Sequence, residues 1–276
     1  MRVALVHDYL NQYGGAERVL EVLMEIFPEA PIYTLFHDPE RTFGRFSGRV
    51  AGTSFLDFPL ARRKHRWFIP LMPLAAGSLD LGDQYDLIIS DTAGYAKGIR
   101  HSPNAKHLSY VYTPLRYAWE TDDYFQNPLF AGFFKPVFRY LKNWDYRAGQ
   151  KPDRLLTISE FIAGKIKKCY GREAAVIYPP VDTNKFFYEG SPSINSGTKG
   201  LFPERSRRNT YYLSVGRMLH YKRFDLIIDA FAKLGLPLKI VGNGPEKQKL
   251  EARILKLGVK NVEMLPFASD EELRKL

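Results

Sequence analysis

Short apolar runs rich in β-branched residues alternate along this chain with amphipathic stretches of helical spacing. That alternation limits the fold more than any other feature. Tyr85–Ser90 (YDLIIS) reads as a buried strand, and Arg2–His7, Ile32–Phe36, Val50–Phe55, His107–Tyr112, Arg154–Ile158 and Ala174–Tyr178 read as further strands. Gly15–Phe27 places Val19, Leu20, Leu23, Ile26 and Phe27 at three-and-four spacing, and Glu160–Cys169 reads as another helix. Strands alternating with helices imply parallel sheets joined by right-handed crossovers. The predicted class is α/β.

The pattern lapses at Glu189–Arg208 (EGSPSINSGTKGLFPERSRR), which is rich in Gly, Ser, Pro and charge and has no apolar period. It then restarts with strands Tyr211–Val215, Leu238–Val241 and Val262–Leu265, and helices Phe224–Leu234, Glu246–Leu257 and Asp270–Leu276. The expected domains are 1–188, a linker at 189–209, and 210–276. Three strand–helix units are few for a doubly wound sheet, so the second domain is expected to be incomplete.

Composition narrows the function. The 276 residues are 45% hydrophobic and 25% charged, which are globular values. Cys169 is the one cysteine, so no internal disulfide forms, and it is expected as a buried or half-buried helix residue. No apolar window of about 18 residues appears, and the N-terminal run lacks a signal-peptide cleavage pattern. A soluble or peripherally attached cytoplasmic protein is expected. The net charge of +10 is uneven: residues 1–150 carry +1 and residues 151–276 carry +9. A basic half suits an anionic ligand. No recognition-helix or aromatic-basic motif points to nucleic acid, and the six histidines lack metal-ligand spacing.

Ligands of open α/β sheets bind at the C-terminal strand edges, where three turns stand out. Gly14-Gly15 follows the first strand and opens a helix, whose N-terminus offers free N–H groups. Gly216-Arg217 follows the Tyr211–Val215 strand, with Lys222 near the next helix start. A guanidinium fork and a mobile ammonium suit a diphosphate. Arg223 is as ready to pair with Asp225 or Asp229 as to bind ligand. Gly242-Asn243-Gly244 follows a third strand, and Pro245 opens a helix. Leu60–Gly77 (LARRKHRWFIPLMPLAAG) mixes four cations, a tryptophan and apolar residues, as membrane-surface helices do. The bland alternative is a core-facing helix with a basic outer side, and Pro70 and Pro73 interrupt it.

GGAER after strand one, TISEF at Thr157–Phe161, YPPVD at Tyr178–Asp182, SVGRM…YKRFDLIIDAF and KIVGNGPEKQKL occur in that order. Together they resemble family-four glycosyltransferases of the two-Rossmann-domain GT-B type, over nearly the whole chain. Ser109–Trp119 (SYVYTPLRYAW) resembles more narrowly the mannosyltransferase-like enzymes of bacterial surface-polysaccharide synthesis. The resemblance implies a retaining transfer of a sugar from a GDP- or UDP-linked donor to a glycan or lipid-linked acceptor. It implies no metal and no separate cofactor.

By the same resemblance Arg217, Lys222, Gly14 and Gly15 would hold the donor diphosphate. Gly216, Ser159, Phe161, Gly242 and Gly244 would line the cleft, and Pro180, Val181 and Asp182 would lie on the interdomain crossing. Tyr112 occupies the place of a family histidine that touches the donor sugar, and it carries no charge at neutral pH. The chain also stops before the family's glutamate pair, so it is expected to be truncated in the donor domain. The alternative function is an inactive fragment, or half of a split enzyme completed by a second chain, serving as a glycan-binding or interaction module.

Overall fold

A computed structural model describes residues 1–120, 128–184 and 211–276, with the side chains of 128–134 left aside. The expected linker at 189–209 lies outside the described residues. The chain divides into two compact units, Met1–Pro180 and Val181–Leu276.

The first unit is a seven-stranded, all-parallel sheet in the order β3-β2-β1-β4-β5-β6-β7. Its strands are β1 (Val3–His7), β2 (Ile32–Thr34), β3 (Val50–Thr53), β4 (Leu87–Thr92), β5 (Lys106–Val111), β6 (Arg154–Thr157) and β7 (Ala175–Val176). Helices α1 (Gly15–Ile26), α2 (Pro59–Lys64), α3 (Met72–Ser78), α4 (Arg116–Trp119), α5 (Pro128–Ala148) and α6 (Glu160–Tyr170) connect them. Successive strand residues face opposite sides, and both sides are buried, as a parallel sheet covered by helices requires. Ala4, Val6 and Ile88 enter the core that α3 closes. Leu5 and Ile89 enter the core with Leu20 of α1.

On the first of those sides a buried ion pair anchors the helices. Lys97 Nζ lies 2.7 Å from Asp145 Oδ1, and both side chains are fully buried. Asp145 Oδ2 accepts from the Tyr170 hydroxyl (2.8 Å), the Trp119 indole N–H (2.8 Å) and the Leu115 N–H (3.3 Å). One carboxylate on α5 thus gathers donors from α4, α6 and the loop before α4. Its desolvation is offset by four partners.

The second unit is a three-stranded parallel sheet, β10-β9-β8, built from β8 (Tyr212–Val215), β9 (Leu238–Val241) and β10 (Val262–Leu265). Helices α7 (Phe224–Leu234), α8 (Lys247–Leu257) and α9 (Asp270–Lys275) accompany it. Met218, Phe224, Ile228, Leu238, Ile240 and Leu250 form its core. The molecule is α/β, with a large parallel sheet and a smaller second one.

Candidate functional site

In the first unit the chemistry gathers at the C-terminal ends of β1, β4 and β5, three adjacent strands. The parallel register sets His7 beside Asp91, on the side covered by α1. His7 Nδ1 lies 2.5 Å from Asp91 Oδ1, and Nε2 lies 3.7 Å from Glu17 Oε1 on the first turn of α1. Glu17 Oε2 accepts the Gly14 N–H at 2.8 Å. Just past β5, the Tyr112 hydroxyl lies 3.2 Å from Asp91 Oδ2 and 3.3 Å from the Ala16 carbonyl, sharing one proton between two acceptors. These contacts close a ring that starts and ends at the N-terminus of α1.

The ring is buried: His7 is 3%, Glu17 2% and Asp91 0% exposed. Burial alone would push the imidazole down, but Asp91, followed by Glu17, outweighs it and holds His7 well above its usual 6.5. Burial pushes the Asp91 carboxyl up, with His7 pulling against it. For Glu17 burial also pushes up, but the His7 contact wins and the carboxyl is lowered. Burial, then Asp91, pushes the Tyr112 phenol up, so it serves as a neutral hydroxyl. The cation of this edge therefore sits on His7. His107 on β5 is the opposite case: burial first, then His101, pushes it down to about 3, and it stays neutral against the Ser90 hydroxyl at 2.8 Å.

Asp8, the residue after β1, organises the same edge. Its oxygens accept from the Thr92 hydroxyl and from the N–H groups of Ala93, Tyr95 and Ala96, each at 2.7 Å. Asp8, Glu17 and Asp91 were not singled out from the sequence. For Glu17 a partial signal was there: a glutamate three residues past the N-cap Gly14 can reach back to accept its N–H, although glycine has no side chain to return the bond. Asp91 becomes legible only once β1 and β4 are placed in register.

The other predicted residues of this unit spread along the same edge. Gly15 is exposed at the first position of α1, and a side chain there would meet nothing within 4 Å. Ser159 follows β6 and caps α6, accepting the Ile162 N–H at 3.3 Å. Phe161 is 71% exposed, with Lys165 Nζ 5.0 Å from its ring centre. Pro180, Val181 and Asp182 straddle the division between the two units. A cleft of about 410 Å³ lined by Met1, Phe27, Pro28 and Tyr85 lies at the opposite, N-terminal end of β1, away from these groups.

In the second unit two strand-end turns are laced together by backbone. Gly216 N–H donates to Val241 O (3.1 Å), Met218 N–H to Asn243 O (2.9 Å) and Glu246 N–H to Met218 O (3.2 Å). The approach is so close that a Cβ on Gly242, at φ 150°, would stand 2.0 Å from Gly216 O. One on Gly244 would stand 2.4 Å from Met218 O. Both glycines are demanded by backbone proximity. Gly216 itself would tolerate a side chain, whose Cβ would sit 3.5 Å from the Phe224 ring. Pro245 and Glu246 precede α8, which starts at Lys247, with Glu246 as its N-cap rather than its first residue.

Arg217 and Lys222 are both exposed on the β8–α7 connection, and Lys222 Nζ lies 5.9 Å from the Tyr221 ring centre. Arg223 takes one of its two expected partners, Asp225, at 3.0 Å. Asp229 instead pairs with Arg253 of α8. A cavity of about 240 Å³ opens beside this connection, lined by Leu219, His220, Phe224, Asp225, Glu246 and Lys249 among others.

Known proteins agree with this architecture. Glycosyltransferase Family 4 matches residues 13–185, and Glycosyl transferases group 1 matches residues 202–276. The D-rhamnosyltransferase WbpZ of Pseudomonas aeruginosa is 23% identical over 272 residues, covering 96% of this chain and 65% of WbpZ. An uncharacterized glycosyltransferase of Methanocaldococcus jannaschii, MJ1178, is 25% identical over 121 residues, 44% of this chain and 30% of that protein. The chain thus spans less than two thirds of either relative. Among solved structures, Anabaena Alr3699/HepE in complex with UDP superposes with a TM-score of 0.62 at 17% identity, covering 99% of this chain and 71% of that one. WaaG, a glycosyltransferase involved in lipopolysaccharide biosynthesis, superposes at 0.57 and 16% identity, covering 98% and 72%. By the match to its residues 13–185, this chain belongs to glycosyltransferase family 4.

Proposed function

We propose that this chain carries the acceptor-side domain and part of the donor-side domain of a retaining glycosyltransferase. It would move a sugar such as mannose from a GDP- or UDP-linked donor to a glycan or lipid-linked acceptor in polysaccharide or lipopolysaccharide biosynthesis. The work would be done in the cytoplasm, at the inner face of the membrane. Arg217 and Lys222 would neutralise the departing diphosphate without a metal, which is the main electrostatic demand of such a leaving group. The Gly14-Gly15 turn would face the diphosphate and acceptor, and Tyr112 would offer a neutral hydroxyl near the sugar. Ser159 and Phe161 would edge the cleft.

The observation that carries this reading is the placement of Arg217 and Lys222 on a strand-end connection whose backbone Gly242 and Gly244 hold fixed. The similarity to WbpZ and HepE supports the choice of a nucleotide-sugar reaction. Titration calorimetry with GDP and UDP tests it. The parent chain should bind at least one of them, and Arg217→Ala with Lys222→Ala should weaken that binding at least about tenfold. Equal affinity in the double variant would end this assignment of roles.

A second reading, a non-catalytic glycan-binding module, is favoured by Tyr112, whose hydroxyl is already engaged by Asp91 and Ala16. A strand from elsewhere could also complete the second unit at β8. Among the described residues β8 pairs with β9 alone, and Tyr212, Leu213 and Val215 are exposed. Turnover of pooled sugar nucleotides onto lipid-linked acceptors by the isolated chain would rule the module reading out.

A further inference from the structure

The loops after β1 and β2 leave the sheet at the same C-terminal edge and are tied together. Leu10 N–H donates to Phe36 O at 2.9 Å, and Asp38 N–H donates to Leu10 O at 2.7 Å. Beyond Asp38 the chain turns tightly. Thr42 is fully buried, its hydroxyl donates to the Asp38 carbonyl at 2.9 Å, and Gly44 N–H donates to Pro39 O at 2.8 Å. Phe43 and Gly44 both take the left-handed conformation, at φ 54° and 68°. Glycine does so freely, whereas the Cβ of phenylalanine is crowded there. The ring gains little burial in exchange, since Phe43 is 74% exposed. A strained turn that carries an apolar ring out into water points to a use beyond the fold.

That ring stands beside Tyr13, the residue before the Gly14-Gly15 turn. The two rings meet edge to face, with centres 6.1 Å apart and planes at 75°. Tyr13 is itself held in place. Its hydroxyl donates to Glu21 Oε2 at 2.5 Å, and the guanidinium carbons of Arg45 and Arg18 lie 4.8 Å and 5.7 Å from its ring centre. Arg45 also pairs with Glu21 at 2.9 Å, and Arg41 with Asp38 at 3.6 Å. Arg18, Arg41 and Arg45 are matched in number by Glu21, Asp38 and Glu40, so charge does not select an anion here. We propose that Phe43, backed by Tyr13, is a stacking platform for a neutral pyranose ring of a glycan. A pyranose face presents C–H bonds of slight positive charge, which suit the negative face of an aromatic ring. Its rim of hydroxyls suits flanking carboxylates and guanidinium groups. A phenyl ring fixed on a tight turn also loses little freedom when a sugar lands on it. That the sugar belongs to the acceptor rests on the proposed function; the platform itself does not.

Saturation-transfer difference NMR, irradiating the aromatic protons of the chain, tests it. Maltose and α-1,3-mannobiose serve as neutral probes and digalacturonate as an acidic one. The parent chain should pass saturation to the ring C–H protons of at least one neutral probe, and less to digalacturonate. Phe43→Gly should weaken neutral-probe binding by about two- to tenfold, and Phe43→Tyr should retain it. Because glycine accepts φ 54°, Phe43→Gly should leave the urea midpoint of tryptophan fluorescence in place, as a structural role for the ring would not. GDP and UDP calorimetry keeps the donor reading apart: a parent chain that binds neither nucleotide but still binds sugar would defeat that reading and support this one. Absence of transfer from the folded parent chain to both neutral probes at millimolar concentration would overturn the platform. So would unchanged neutral-probe binding in Phe43→Gly, an equal loss in Phe43→Tyr, or stronger transfer to digalacturonate than to either neutral sugar.

Discussion

Replacing His7 by Ala should remove the one cation of the buried ring and leave the fully buried Asp91 and the nearly buried Glu17 facing each other's field. Breaking a buried ion pair from one side costs about 3–5 kcal/mol, because the remaining charge stays desolvated. With a urea m-value of about 2 kcal/mol per molar, the midpoint should fall by roughly 2 M at neutral pH. The three tryptophans, Trp67, Trp119 and Trp144, all lie in the first unit, so fluorescence follows that unit alone.

The pH dependence is equally specific. His7 is raised in the fold, so its contribution is full below its unfolded 6.5 and fades as pH climbs through the folded value. Glu17 is lowered, so its contribution is full above 4.5 and fades as pH falls through the folded value. Asp91 is raised, and it subtracts stability as pH rises from 3.8 to its folded value. The parent protein therefore holds the His7 and Glu17 contributions together between about pH 4.5 and 6.5. A loss under about 1 kcal/mol at neutral pH would refute the charged-ring account.

Other outcomes follow from single contacts. Gly242→Ala should destabilise the second unit by about 3 kcal/mol or more, read by far-ultraviolet circular dichroism, since its Cβ would strike the Gly216 carbonyl. Lys97→Met should cost about 3–5 kcal/mol, with Asp145→Asn in the same background restoring part of it. Cys169 is half-buried, and burial, then Asp145, pushes its thiol up. It should react with a disulfide reagent at pH 8 several-fold more slowly than free cysteine, as thiolate fraction sets the rate (~ one unit is tenfold).

The second unit was legible in the sequence almost residue by residue. Phe224–Leu234, Leu238–Val241 and Val262–Leu265 occupy their expected spans, because each is a short apolar run bounded by Gly, Pro or polar residues. The expected strand Ala174–Tyr178 shrank to Ala175–Val176, where among the described residues it pairs with β6 alone at the sheet edge and runs into Pro179-Pro180. What stayed hidden was long-range. His7 and Asp91 are 84 positions apart, and nothing local announces that parallel register will set them side by side. The Leu60–Gly77 stretch could be read as core helix or lipid-facing helix, and the fold gives each side of it a distinct character.

Asp8 imposes an order on how this chain can acquire its shape. Every donor its carboxylate gathers comes from residues 92–96, so the carboxylate has none of these partners until β4 has slotted in beside β1. Such distant closures slow a folding reaction. During synthesis Asp8 would wait for about ninety further residues to leave the ribosome before its carboxylate met its donors. Until then, the end of β1 would carry a carboxylate without the partners that offset its burial.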